Sequence, residues 1–280
     1  MVTVAACQVR VDIDDPQRTW QAATMAVRQA ADAGANVVVL PELVITGSAF
    51  ASRAEALERA EETSGPTAAK MRLLAAELGV VLIFGFCERA ADGTGPYNSA
   101  LVVDCGKVLA VYRKTHLWDR EKLIFEPGSA AAPVVSTSIG RVAVMICYDL
   151  EFPEMVRDVT LRGAQLIAVP ANWPIVGKPA HERPIEVAKA QAGAAANRVF
   201  IAVADRCGVE RGFDWFGSSV ICDVTGFPLA GPASGEPITL LATIDLDHAD
   251  DKRLGPHNDV LTDRRVDLSP SWSGPRRRQP

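Results

Sequence analysis

Four runs of this chain carry no polar side chain: Val37-Val38-Val39-Leu40, Val80–Phe86, Leu166–Val169 and Phe200–Ala204. A strand with one wet face alternates apolar and polar residues, so a strand that is apolar at every position has to be covered on both faces. The runs are interleaved with helix signals. Asp14-Asp15 precedes Pro16 and Gly34 closes a helix over Pro16–Ala33, Gly79 closes Thr67–Leu78, and Gly163 follows Pro153–Arg162. Pro184–Ala196 reads as a fourth helix. Further strands are expected at Thr3–Val9, Arg141–Ile146, Gly217–Asp223, Phe227–Leu229 and Ile238–Asp245, and Ser99–Val103 and Val108–Tyr112 flank a hairpin turn at Asp104-Cys105-Gly106-Lys107. The expected architecture is α/β: two sheets packed on each other with helices outside, in one domain over about residues 1–250. Residues 251–280, polar and rich in proline, are expected to form an extended C-terminal tail that frays or lies on a partner subunit.

Several function classes are disfavoured at once. The formal net charge is −5 over 280 residues, which argues against a general nucleic-acid surface, and Arg276-Arg277-Arg278 reads as a solvated tail. The four histidines, His116, His181, His248 and His257, form no i,i+4 pair and no cluster with cysteine, so a dedicated zinc site is not expected. No phosphate-binding glycine loop is found. No apolar run reaches membrane-spanning length, and the N-terminus reads as a core strand instead of a signal peptide. The six cysteines contain no C-x-x-C pair, which points to thiols in a reducing, cytoplasmic setting.

One of those cysteines is placed for chemistry. Cys147 ends the apolar run Val142–Ile146, and Pro153-Glu154 opens a helix just beyond. A thiol at such a junction is held outside the sheet, next to backbone N–H groups that suit an oxyanion. Free cysteine has a pKa of ~8.5, so a nucleophilic thiol needs a base. His116 is the histidine nearest to a strand end, but no Cys–His template is evident. Carboxylates are the alternative. Glu42 follows the strand Asn36–Leu40, where partial desolvation favours a base near neutrality, and Lys114 ends the strand that starts at Val108. Glu121 lies in the charged run Trp118-Asp119-Arg120-Glu121-Lys122, ahead of a loop, Phe125-Glu126-Pro127-Gly128, that turns back toward the core. Taken singly, each has a plainer reading: a buried structural thiol, a surface carboxylate, a solvated lysine and a solvated charged face.

Taken together they do not. Leu40-Pro41-Glu42-Leu43, Tyr112-Arg113-Lys114-Thr115-His116-Leu117 running to Phe125-Glu126-Pro127-Gly128, and Ile146-Cys147-Tyr148-Asp149-Leu150-Glu151-Phe152-Pro153-Glu154 resemble, in that order and spacing, the nitrilase or carbon–nitrogen hydrolase superfamily. The resemblance extends over about residues 1–245, with Gly163–Ile167, Ala196-Asn197-Arg198 and Gly217-Ser218-Ser219 as further matches. It implies an α-β-β-α sandwich, a homodimer or higher homo-oligomer, and no metal or organic cofactor. It also implies roles: Glu42 as general base, Lys114 as oxyanion-stabilising lysine, Cys147 as nucleophile and Glu121 as a substrate-orienting glutamate. The backbone N–H of Tyr148 would join Lys114 at the oxyanion, and Asn172 and Trp173 are expected to line the substrate pocket. True nitrilases of the superfamily typically carry Trp-Glu after the cysteine, whereas Cys147-Tyr148-Asp149 looks like its amidase-like branches. The expected substrate is therefore a small amide, with a nitrile or a carbamoyl amide as alternatives. An N-acyltransferase and a non-catalytic binding or scaffold module are rivals with less support. Asp205-Arg206-Cys207 ends a strand and is expected near the pocket rim, with Cys207 structural.

Overall fold

The computed structural model describes residues 1–268 apart from 176, 178, 180 and 181. The basic run Arg276–Arg278 and His181 lie outside the described residues. The first sheet contains β1 (Val2–Gln8), β2 (Val37–Val39), β3 (Val81–Glu88), β4 (Tyr97–Asp104) and β5 (Lys107–Arg113). The second contains β6 (Val134–Thr137), β7 (Gly140–Val144), β8 (Leu166–Ala171) and β9 (Phe200–Asp205). A separate hairpin follows, β10 (Cys207–Glu210) and β11 (Phe213–Phe216). β12 (Val220–Cys222) and β13 (Pro228–Ala230) then complete the second sheet, and β14 (Ile238–Ile244) returns to the first. The strand orders are β14-β1-β2-β3-β4-β5 and β13-β12-β9-β8-β7-β6. Each sheet has a parallel triplet at its centre, β1-β2-β3 in one and β7-β8-β9 in the other, flanked by antiparallel neighbours.

The apolar strands have two destinations for their side chains. Val4, Ala6, Val37, Val39, Val81 and Ile83 enter the core shared with the second sheet, whose β9 and β8 pack against β1, β2 and β3. The alternate residues Ala5, Cys7, Val38, Leu40, Leu82 and Phe84 face helices α1 (Pro16–Asp32) and α3 (Pro66–Leu78) through Ala23, Val27, Ala30, Met71, Leu74 and Ala75. The short α2 (Arg53–Arg59) lies between those two helices in sequence, and α4 (Glu121–Ile124) follows β5. α5 (Pro153–Leu161) and α6 (Ile185–Asn197) close the far side with Val156, Val159, Val187, Ala190 and Ala194. Each buried Val, Leu or Ile contributes ~1.5–3 kcal/mol relative to exposure. A polar residue on either face of the central strands would remove that gain and add a desolvation cost.

The expected α/β double-sheet sandwich is the observed one. Several boundaries differ. α2, α4, β6 and the β10–β11 hairpin were not anticipated, because they are short and lie at edges or outside the sheets. The expected strand Gly217–Asp223 is only Val220–Cys222. Gly217 has φ +58°, and its neighbours give their N–H groups to side chains, Ser218 to Asp205 and Ser219 to Gln8. Strands β5 and β6, near the sheet edge, are not apolar throughout. Residues 251–268 are also less extended than expected: Arg253–Gly255 pairs with Asn258–Asp259, Lys252 donates to the carbonyls of Asn197 and Arg198 at the end of α6, and Arg157 of α5 donates to the Val260 carbonyl. All six cysteines are unbridged thiols, and only Cys105 is exposed. Among the described residues no helix is long and apolar enough to cross a membrane.

Candidate active site

The site forms where strand ends from both sheets meet. Beyond β2, the Leu40 N–H still donates to the Ile83 carbonyl of β3, and the chain then turns sharply, with Leu43 at φ +48°. Gly85 on β3 makes room for this turn: a Cβ there would lie 2.4 Å from the Leu43 nitrogen and 2.7 Å from the Glu42 Cα. Glu42 is thereby folded into the interior and is 1% exposed. Lys114 leaves β5 with its N–H on the Asn98 carbonyl, and its own carbonyl accepts the Gly128 N–H as the Glu126–Gly128 loop returns to the core. Gly128 has to be glycine, because a Cβ would lie 2.1 Å from the Arg113 carbonyl oxygen.

These backbone constraints bring three charges together. Lys114 Nζ donates to Glu42 Oε1 at 2.6 Å and to Glu121 Oε2 and Oε1 at 2.7 and 3.0 Å. Asn98 Nδ2 donates to Glu42 Oε1 at 2.5 Å and to Glu121 Oε1 at 2.9 Å. The Trp118 N–H adds a bond of 2.7 Å to Glu121 Oε2. Glu121 is thus engaged in the site and is no solvated face. Both Glu42 bonds fall on Oε1, which leaves Oε2 without a hydrogen-bond partner among the described residues.

Cys147 arrives from the second sheet. After β7, Met145 still donates to the Ala168 carbonyl, and Cys147 then adopts φ +49°, in the left-handed region that a non-glycine residue seldom enters. A 3₁₀ turn, Cys147–Glu151, separates it from α5, so the thiol sits on this turn and α5 starts only at Pro153. The Sγ donates to the Asn172 carbonyl at 3.6 Å. Asp149, fully buried, braces the turn. Its carboxylate accepts from the Ile146 N–H at 3.1 Å, the Tyr112 hydroxyl at 2.8 Å, the Thr115 hydroxyl at 3.1 Å and the His116 N–H at 3.0 Å. It therefore ties the cysteine turn to the strand end that carries Lys114. The His116 ring also meets Asp149, at 2.9 Å, and stacks on Phe152, so histidine is engaged in bracing.

Electrostatics follow from burial and proximity. Burial pushes the Glu42 carboxyl up to about 7, Glu121 adds to this, and Lys114 and Asn98 act against it. Burial alone would pull the Lys114 ammonium toward neutrality, but Glu121 and Glu42 outweigh it and hold the group charged, with a pKa well above the ordinary lysine value. Burial, then Glu42, raise the Cys147 thiol well above its ordinary value, and Lys114 only partly offsets them. Cys147 accordingly rests as a protonated thiol in the same cavity as a carboxyl with a pKa of about 7.

Glu42, Lys114, Glu121, Cys147, Tyr148, Asn172 and Trp173 all line one cavity of about 880 Å³. Phe50, Trp118, Phe125, Trp215 and Phe216 give its walls an aromatic character. Both polar side-chain atoms of Asn172 are buried and without partners among the described residues. Asp205 and Arg206 correct the expectation of a rim: both are fully buried behind the wall, since Asp205 accepts the Trp173 and Ser218 N–H groups, each at 2.9 Å, and Arg206 pairs with Glu210. Cys207 is buried, as expected. Asn98 and Asp149 were missed. The only sequence signal for Asn98 is the hairpin register, which sets Ser99 opposite Arg113 and so Asn98 beside Lys114. Among the described residues no group of three His, Cys, Asp or Glu is placed to hold a metal ion.

Comparison with known proteins agrees with this geometry. Residues 3–253 match the family model for carbon-nitrogen hydrolase. The chain is 37% identical over 266 residues to a nitrilase of Pyrococcus abyssi, covering 95% of this chain and 98% of that one. It is 34% identical over 289 residues to N-carbamoylputrescine amidase of Solanum tuberosum, covering 96% and 93%. Among solved structures, a variant of the amidase from Nesterenkonia sp. AN1, with acrylamide added at its active-site cysteine, matches with a TM-score of 0.78 and 29% identity, over 97% of this chain and 100% of that one. The chain belongs to the carbon–nitrogen hydrolase family and is an enzyme of the nitrilase superfamily.

Proposed function

We propose that this enzyme hydrolyses the C–N bond of a small amide to a carboxylic acid and ammonia through a thioester on Cys147. The observation that carries the reading is the convergence of a buried Glu42–Lys114 pair, the partly buried Glu121 that also holds Lys114, and the Cys147 thiol on one cavity. Glu42 takes the thiol proton as Sγ attacks the carbonyl carbon. The carbonyl π pair moves to oxygen, and Lys114 Nζ and the Tyr148 N–H hold the resulting oxyanion. The intermediate collapses, the C–N bond breaks, and Glu42 passes its proton to the departing nitrogen, which leaves as ammonia. Water then gives a proton to Glu42 and attacks the thioester, the C–S bond breaks to release the acid, and Glu42 returns that proton to Sγ to restore the thiol. Dividing one step into two lowers each barrier. Glu121 serves by holding Lys114 and Asn98, the two groups that orient Glu42. The Asn172 side chain, buried and without a partner among the described residues, is suited to the substrate's polar end, and Trp173 to its apolar part.

The residues after the nucleophile, Tyr148-Asp149, favour an amide over a nitrile. The relatives named nitrilase and N-carbamoylputrescine amidase support the alternatives. An ammonia-release screen over matched amides, nitriles and carbamoyl amides separates the three: carbon dioxide accompanies ammonia only for a carbamoyl substrate, and turnover of nitriles alone would overturn the amide reading. Intact-protein mass spectrometry during turnover should record the acyl group on Cys147. We further infer a homodimer or higher homo-oligomer acting in the cytoplasm; family resemblance supports the assembly, and six unbridged cysteines support a reducing compartment. Light scattering of the purified protein tests the assembly.

A further inference from the structure

Behind the cavity wall lies a second buried ion pair for which the hydrolytic mechanism has no use. Arg206 Nη1 donates to Glu210 Oε2 at 2.9 Å, and neither side chain is exposed. Glu210 also accepts the N–H groups of Ser48 and Ala49 at 3.0 and 2.8 Å, and that of Ile13 at 2.8 Å. Ser48 and Ala49 line the substrate cavity, at the end of the turn that starts with Glu42. The Arg206 guanidinium also lies 4.8 Å from the ring centroid of Trp215, a second wall residue. Trp215 is itself stitched to the segment after Asn172: it bridges to Pro174, and the Phe216 N–H donates to the Trp173 carbonyl at 2.9 Å. One buried pair thus fixes two parts of the wall, the Ser48–Ala49 loop and Trp215, while lining no part of the cavity itself.

We infer that Arg206 and Glu210 are positioning residues that set the length of acyl chain the cavity accepts. This rests on the reading of the cavity as the acyl site of an amide hydrolase. The packing of the loop against the pair leaves no slack. A Cβ on Gly47 would lie 2.4 Å from Glu210 Oε1 and 2.6 Å from the Ile13 Cβ, and Gly47 is at φ +75°. Any change in the pair therefore moves Ser48 and Ala49. The guanidinium plane serves both the carboxylate and the indole face, which an ammonium does not do equally well.

The test compares wild type, R206M/E210M, R206K and G47A on acetamide, butyramide and hexanamide. The double variant removes both charges and so leaves no unpaired buried ion. In it, the ratio of kcat/KM for hexanamide to that for acetamide should change by about tenfold or more, through KM, because even a single methylene in an apolar pocket discriminates by about 10–200-fold. R206K should fall between wild type and the double variant. G47A, which shifts the same loop with the charges intact, should alter the ratio too, and decides the matter if the double variant fails to fold. The same order is read without turnover from the rates at which 2-bromoacetamide, 2-bromobutyramide and 2-bromohexanamide alkylate Cys147, mapped by peptide mass and normalised to wild type. Folded variants with the wild-type length profile, or with a uniform drop at every length, would overturn the inference. A wild type that is alkylated in a length-dependent way but hydrolyses no amide would instead sink the amide reading and leave the positioning role standing.

Discussion

Two buried charge clusters of similar composition lie a short way apart in this protein, and they are built for opposite ends. Glu210 is enclosed: three backbone N–H groups and the Arg206 guanidinium occupy its two oxygens. Glu42 is equally buried, yet its bonds to Lys114 and Asn98 both fall on one oxygen, and the residue borders the cavity. A carboxylate whose two oxygens are both held by fixed donors has no oxygen left to face a reactant, whereas Glu42, with no donor on Oε2 among the described residues and a pKa of about 7, can take a proton and return it. Burial alone does not mark a catalytic carboxylate. The number and direction of its donors do.

The comparison can be broken at several points. The largest effect is expected for Cys147→Ala, in which ammonia release should fall to background and no acyl adduct should form; residual turnover near wild type would remove the cysteine from the mechanism. Glu42→Gln keeps the shape but not the base, and kcat should drop by about 10²–10⁴, the usual worth of general acid–base catalysis. Glu210→Gln, by contrast, should leave chemistry on acetamide largely in place. It should lower the unfolding free energy by about 3–5 kcal/mol, the cost of stranding a buried charge, as read by urea denaturation. A kcat loss of the Glu42→Gln size there would erase the distinction drawn between the clusters.

The pH profile sharpens it further. In the proposed mechanism Glu42 has to be ionised to accept the thiol proton, so kcat/KM should rise with pH up to about 7 and fall about tenfold per unit below it. Glu121 raises the Glu42 pKa by its negative charge. Glu121→Gln should therefore move this acid limb to lower pH, whereas Glu210→Gln should not move it. The smallest effect is expected for Tyr112→Phe, which removes one of the donors to Asp149 and should cost about 0.5–1.5 kcal/mol of stability with modest loss of activity.

Much of the site was legible before any coordinates. The apolar runs demanded two covered faces, and Glu42, Lys114 and Cys147 stood at the ends of such runs in a spacing that resembles one family. Glu121 was legible only through its distance from Lys114. Asn98 and Asp149 were not legible, because each has meaning only through partners from other elements: Glu42 and Glu121 for the one, Tyr112 and His116 for the other. The sequence suggests Asp205 and Arg206 for the pocket rim, and the structure buries both behind its wall. A charged dipeptide at a strand end ordinarily faces water, and here the β10–β11 hairpin and the Ser48 loop cover it.

Hydrophobic patterning is local, so the sequence by itself determined the layered α/β class, the strand ends that carry the reactive groups and the thiol, carboxylate and amine of the chemistry. Which carboxylate is free to act as a base and which is held as a brace is not a local property. It depends on donors contributed by residues up to 197 positions away, as with Ile13 and Glu210, and on which oxygen faces the cavity. Only the packing of the two sheets, the hairpin and the Ser48 loop decides that, because the energy of a buried charge is set by the groups that surround it in space.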